Sequence, residues 1–148
     1  VETIASDANY EAAQRNRSVR VRVEGSDLTV VGSEELLRRA IENVVRNAVR
    51  YTAERTEVEI LVSRCAGPPA EGIVQIRDHG PGVPESALPQ LFLPFYRVEN
   101  ARERSSGGAG IGLAITDQAM RLHGGTAAAR NDPNAGLIVE LRMPLAAP

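Results

Sequence analysis

The chain reads as an α/β protein of one domain. Two observations predict this: segments that alternate apolar and polar residues with period two, and helix candidates between them, one of which has apolar residues recurring every three or four positions. At 148 residues, 43% hydrophobic and 24% charged, it can bury one core but is too short for two domains of ordinary size.

The elements follow in order. Residues 2–17 are polar and Ala-rich, a weak helix signal, and SVRVRVEG (18–25) alternates Val and Arg as a strand does. Residues 28–31 form a second short β candidate. Ser33 is an expected N-cap, with Glu34 and Glu35 at the positive end of a helix that runs to about Tyr51. In that helix Leu37, Ile41, Val44, Val45 and Ala48 make one apolar stripe. EVEILVS (57–63) and IVQIR (73–77) read as paired strands across a Pro/Gly loop. From Asp78 to Gly112 the glycines and prolines are too dense for a long regular element, and such a stretch inside one domain points to a functional loop or lid. A helix over 111–122, stopped by His123, Gly124 and Gly125, precedes a closing hairpin, 125–130 and 137–143, over NDPNAG.

Composition removes several chemistries. All 17 basic residues are Arg, so a lysine Schiff base and a Walker lysine are excluded. One cysteine, Cys65, and two histidines, His79 and His123, support neither a disulfide framework nor a multi-ligand zinc site, and a reducing compartment fits best. A formal charge of -2 offers no broad grip on nucleic acid. No apolar run approaches the roughly 18 to 20 residues of a membrane-spanning helix. The chain begins with Val1 rather than Met, and we expect it to be part of a longer polypeptide.

Four segments could carry chemistry. In IENVVRNAVRYT (41–52), Asn43, Asn47 and Arg50 share one helical stripe, either a solvated polar face or neutral amide oxygens for a hard cation with Arg50 reaching a phosphate. DHGPG (78–82) is either a plain turn or a site where Asp78 accepts from an exocyclic amino group while Gly80 and Gly82 admit a ring. GGAGIGLAI (107–115) fits neither GxGxxG nor the Walker spacing. It is either a flexible loop or an anion site at a helix start. LFLPFYRV (91–98) holds three of the five aromatic residues and is either a hydrophobic anchor for a lid or a short amphipathic helix.

In order and spacing these four segments resemble the N box, first glycine box, F box and second glycine box of sensor histidine kinases, within the gyrase/Hsp90/histidine kinase/MutL ATPase superfamily. The match spans residues 33–125 and looks most similar to the envelope-stress sensor kinases of Gram-negative bacteria. The resemblance implies the Bergerat ATP-binding fold: a two-layer α/β sandwich, a mixed sheet with about three helices on one face, and a mobile ATP lid. It divides the chain into the end of a linker, 1–17, and the catalytic ATP-binding domain, 18–148.

Carried over residue by residue, Asn47 resembles the Mg²⁺-coordinating asparagine, and Asn43 lies one turn earlier beside the phosphates. Arg50 resembles the family's basic residue directed at the phosphates, and Tyr51 the aromatic residue along adenine and ribose. Asp78 looks like the acceptor for the adenine amino group, with Gly80 and Gly82 as its turn. Gly108, Gly110 and Gly112 look like the phosphate-side glycines, with Ile111 and Leu113 among them, and Arg97 like a phosphate contact on the lid. Asn43, Arg50 and Arg97 are thus the candidate catalytic residues, with ATP and Mg²⁺ as cofactors.

Two departures stand out. His79 replaces the family's usual asparagine, which is tolerable if its side chain points outward. Hydrolytic members of the superfamily carry a water-activating Glu four residues before the metal asparagine, where this chain has Asn43. Its carboxylate, Glu42, is rotated by about 100° on the helix, so we expect slow hydrolysis and transfer of the γ-phosphoryl to another acceptor. The resemblance puts that acceptor, a histidine, on a separate dimerisation domain of the same kinase, for relay to a response regulator receiver domain. It also implies a homodimeric parent in the inner membrane with this domain in the cytoplasm. The alternatives are an ATP-sensing module without productive transfer and, disfavoured by Asn43, a hydrolysing machine of the gyrase or chaperone kind.

Overall fold

A computed structural model describes residues 1–98 and 110–148. Helix α1 (Glu2–Ala13) precedes strand β1 (Ser18–Val23), helix α2 (Glu34–Tyr51), strands β2 (Glu57–Cys65) and β3 (Glu71–Arg77), a 3₁₀ turn (Glu85–Gln90), helix α3 (Gly112–Leu122), and strands β4 (Thr126–Asn131) and β5 (Leu137–Pro144). The five strands form one mixed sheet in the order β1-β2-β3-β5-β4, with only β1 and β2 parallel. That parallel pair needs a crossover, and α2 supplies it.

Helix α2 begins where Ser33 Oγ accepts the Leu36 N–H at 3.3 Å, with Glu34 and Glu35 in the first turn. At its other end the Arg17 Nη1 donates to the Val49 and Arg50 carbonyls at 3.0 and 3.2 Å, placing a cation on the negative helix terminus. Leu37, Ala40, Ile41, Val44, Val45, Ala48 and Val49 are buried. Burying each large aliphatic side chain contributes roughly 1.5–3 kcal/mol, whereas each mid-helix asparagine costs about 0.7 kcal/mol at most. Packing therefore sustains the helix in spite of Asn43 and Asn47.

The sheet meets that stripe with Val58, Ile60, Val62, Val74, Ile76, Val139, Leu141 and Met143, in a register that sets Ile60 opposite Ile76 and Ile76 opposite Val139. Helix α3 adds Ala119 and Met120, and α1 adds Ile4, Ala5 and Ala12, so the first helix is folded onto the same core. The opposite sheet face is charged and internally paired: Arg20 meets Glu57 and Glu59, and Arg142 meets Glu140 and Glu71.

One expected element is absent. Residues 28–31 are irregular rather than a strand. Asp27 has φ 57°, which turns the chain away from β1, and Thr29 receives one backbone bond, from Ala146, instead of a ladder. Residues 91–98 are turns rather than an amphipathic helix; Leu91 is buried and Phe92 packs on the core, while Phe95 is 75% exposed.

Candidate functional site

Strand β3 ends at Arg77, and the chain leaves the sheet at Asp78, opposite the C-terminal half of α2 and the start of α3. Between these elements lies a cavity of about 310 Å³. Its floor is apolar, from Val44, Ile76, Leu91, Leu137 and Val139, and its rim carries Arg46, Arg50 and Arg97. Asn43, Asn47, Tyr51, Asp78, Gly82, Gly110, Ile111, Gly112 and Leu113 also line it. Sequence segments spread between Asn43 and Val139 thus share one cavity, and the stripe of α2 faces it rather than bulk solvent.

Asp78 is 6% exposed. Its Oδ1 accepts the Gly80 N–H at 2.9 Å and the Leu137 N–H at 3.2 Å, and its own N–H donates to the Leu137 carbonyl. Burial pushes the carboxyl above the ordinary value of 3.8; the bonds from Gly80 and Leu137 and the neighbouring His79 oppose that shift without cancelling it. Both hydrogen bonds fall on Oδ1, so Oδ2 is the oxygen left to accept from a ligand. Gly80 does not line the cavity; it acts through the bond its N–H makes beneath the carboxylate. The imidazole of His79 turns away, onto Glu59 at 3.3 Å.

Asn43 has a partner that its spacing does not disclose: its Nδ2 donates to the Gly112 carbonyl at 3.2 Å, which ties α2 to the start of α3. Thr116 adds a second tie, donating to the Ala40 carbonyl at 2.9 Å. The amide oxygen of Asn43 remains as its acceptor. On the F-box side the Phe95 N–H donates to the Gly110 carbonyl at 3.0 Å, joining the two ends of the segment between them. Gly107 and Gly108, like the expected lid between the F box and the second glycine box, lie outside the described residues.

The HATPase_c family model, described as histidine kinase-, DNA gyrase B-, and HSP90-like ATPase, matches residues 32–147. The chain belongs to this ATPase family. The sensor histidine kinase CpxA of Escherichia coli strain K12 is 37% identical over 143 residues, 96% of this chain and 30% of that protein, so the chain spans less than a third of its relative. The mycobacterial sensor histidine kinase MprB superposes with a TM-score of 0.77 at 27% identity, over 99% of this chain and 97% of that one. Full-length ShkA, solved in complex with AMPPNP, has the same fold, with a TM-score of 0.80 at 24% identity over 99% of this chain and 29% of that one.

Around this cavity, several supporting residues escaped the sequence reading. Arg46 stands on the rim between Asn43 and Asn47. Its i+3 spacing from Asn43 was the available signal. Thr52, fully buried, accepts the His79 N–H on Oγ1 at 3.0 Å and pairs with the Thr56 hydroxyl at 2.7 Å, which bolts the end of α2 to the Asp78 turn. Gly136 sits at φ 105°, and a Cβ there would overlap the Asp78 carbonyl oxygen, so the hairpin turn can approach Asp78 only as glycine.

The cavity fits an adenine nucleotide by its donor set: one carboxylate acceptor in an apolar slot, then amides, then arginines at the mouth. For a divalent ion the protein offers less. Among the described residues no three His, Cys, Asp or Glu side chains gather. Asn47 could supply one neutral oxygen, and phosphate oxygens would have to complete the shell.

Proposed function

We propose that this chain is the catalytic, ATP-binding domain of a two-component sensor histidine kinase. It binds Mg²⁺-ATP and passes the γ-phosphoryl to a histidine on a separate dimerisation domain of the same kinase, for relay to a response regulator. The observation that carries this reading is the single cavity onto which the α2 amides, buried Asp78 and the α3 start converge beneath three arginines.

Each residue then has a task. Asp78 accepts the adenine amino group, and Tyr51 lies along adenine and ribose. Gly82 leaves room for the ring. Asn47 ligates Mg²⁺, and the Asn43 oxygen faces the phosphates. Arg50 and Arg97 hold phosphate charge, and Gly110, Ile111, Gly112 and Leu113 bring the N-terminus of α3 to the same anion. Gly108 has the same task in this reading. The bound metal would neutralise phosphate charge, while the protein supplies position and a polar, preorganised surround. Residues 1–17 carry the connection to the dimerisation domain. The parent is a homodimer in the inner membrane with this domain on the cytoplasmic side. Among the described residues no helix is long and apolar enough to cross a membrane.

The test is direct phosphotransfer. Mixed with the histidine-bearing dimerisation domain of its parent and γ-labelled ATP, the domain labels that histidine within one turnover. Retained ATP binding with no labelled histidine overturns the transfer role.

A further inference from the structure

The wall of the cavity formed by residues 78–83 has two mounts. Asp78 is held by Leu137 through one backbone bond, from its own N–H to the Leu137 carbonyl, and through the Leu137 N–H, which donates to its carboxylate. Past Gly80 the chain is different. Pro81 and Pro84 have no N–H, and the segment 81–83 belongs to no strand or helix. Pro81, Gly82 and Val83 nevertheless all line the cavity.

What holds this segment is one side chain. Asn131, the last residue of β4, accepts the Val83 N–H on Oδ1 at 2.9 Å and donates from Nδ2 to the Val83 carbonyl at 2.7 Å. Its amide thereby takes the place of a neighbouring strand's peptide group, occupying both hydrogen-bonding groups of residue 83. Nδ2 also reaches Glu85 Oε1 at 3.3 Å. Among the described residues no other hydrogen bond holds 81–83. The fit is close: Gly82 has φ 70°, and a Cβ there would stand 2.8 Å from Asn131 Oδ1. A displacement of this wall by about 1 Å relative to Asp78 is enough to spoil a bound geometry.

We propose that Asn131 is a positioning residue for nucleotide binding: by clamping Val83 it fixes the distance between the 81–83 wall and Asp78, and so the width of the slot that selects the purine. This rests on the ATP reading of the site. A clamp on the slot acts on which base is preferred, whereas a purely structural residue acts on how much protein is folded.

The experiment titrates wild-type protein, Asn131→Ala, Asn131→Asp and Asn134→Ala with ATP and with GTP by calorimetry, each checked for folding by thermal melt. Asn131→Ala is expected to bind ATP roughly tenfold more weakly, the scale of one lost hydrogen bond, and to show a smaller ratio of ATP to GTP affinity. Asn131→Asp keeps an acceptor for the Val83 N–H but turns an oxygen toward the Val83 carbonyl and Glu85, so it should lose at least as much. Asn134 contributes only its backbone N–H to the same turn, and its variant should match wild type. In wild-type protein without nucleotide the Val83 amide hydrogen should exchange slowly, a readout independent of whether the variants fold. A folded Asn131→Ala that keeps both the ATP affinity and the ATP to GTP ratio within twofold of wild type, or an unprotected Val83 amide, overturns the inference. Wild-type protein that binds no ATP overturns the ATP reading instead.

Discussion

Asp78→Asn should separate stability from binding. The substitution keeps shape and volume, and the structure decides which way the new amide points. Two N–H groups, from Gly80 and Leu137, converge on Oδ1. An amide nitrogen in that position would face two donors, so the amide oxygen must take it and the NH₂ must turn into the cavity. An acceptor becomes a donor where an exocyclic amino group would approach, and an unmet group of this kind costs about 1–3 kcal/mol, or roughly 5- to 150-fold in ATP affinity. GTP, whose ring presents an oxygen at that position, should lose less.

Stability should move the other way. Burial raises the Asp78 pKa in the folded chain above 3.8, so the folded protein holds this proton more tightly than the unfolded chain. The associated stability is fully present below the unfolded value and is lost as pH rises through the folded value. At neutral pH the charged form is thus a burden that asparagine lacks. Calorimetric titration with ATP and GTP, together with melts between pH 4 and 8, would test both halves. The variant should melt at or above wild type at neutral pH, and that advantage should shrink as the pH falls. Wild-type ATP affinity should also weaken as Asp78 takes up its proton. A folded Asp78→Asn that binds ATP like wild type, or one that melts well below it at neutral pH, refutes the reasoning.

Two further outcomes follow from the metal and the missing base. Asn47→Ala should weaken ATP binding in Mg²⁺ by about 1–3 kcal/mol but leave binding in EDTA unchanged, as titration under both conditions would reveal; equal losses in both would remove Asn47 from the metal. The isolated domain should release inorganic phosphate from ATP only slowly in a steady-state assay, and brisk turnover would mean that a base has been overlooked.

Helix α2, the four boxes and the closing hairpin were legible because each is written in a short run of sequence: a cap, a stripe, a cluster of glycines. The supports of Asp78 were not. Thr52, Asn131, Gly136 and Leu137 stand 26 to 59 residues from it, and only the strand order, which inserts β5 between β3 and β4, brings the hairpin to its side. The same cause misled the reading of 28–31. Four residues of β-like composition become a strand only if an edge is free to pair with them, and here Thr29 finds only Ala146. Asn43 lines the cavity, but its bond to Gly112 depends on how α2 crosses α3.

That bond bears on the proposal that this cavity serves transfer rather than hydrolysis. A hydrolase must hold a water beside the γ-phosphate and a base to take its proton. The helical position that would carry the base holds Asn43, whose NH₂ is engaged by Gly112, so it is fixed as an amide oxygen and has no useful basicity. Glu42, the nearest acid in sequence, is not among the residues lining the cavity. The described residues that do line it include one carboxylate, Asp78, which is buried and held by two N–H bonds to its Oδ1, and which the proposed reading assigns to the adenine rather than to the phosphates. Among the described residues, what remains around it is largely arginine and amide, groups that can bind and orient a phosphoryl chain without activating water. In the reading proposed above the nucleophile comes from a partner, and a histidine side chain, nucleophilic while neutral, would need no base from this domain.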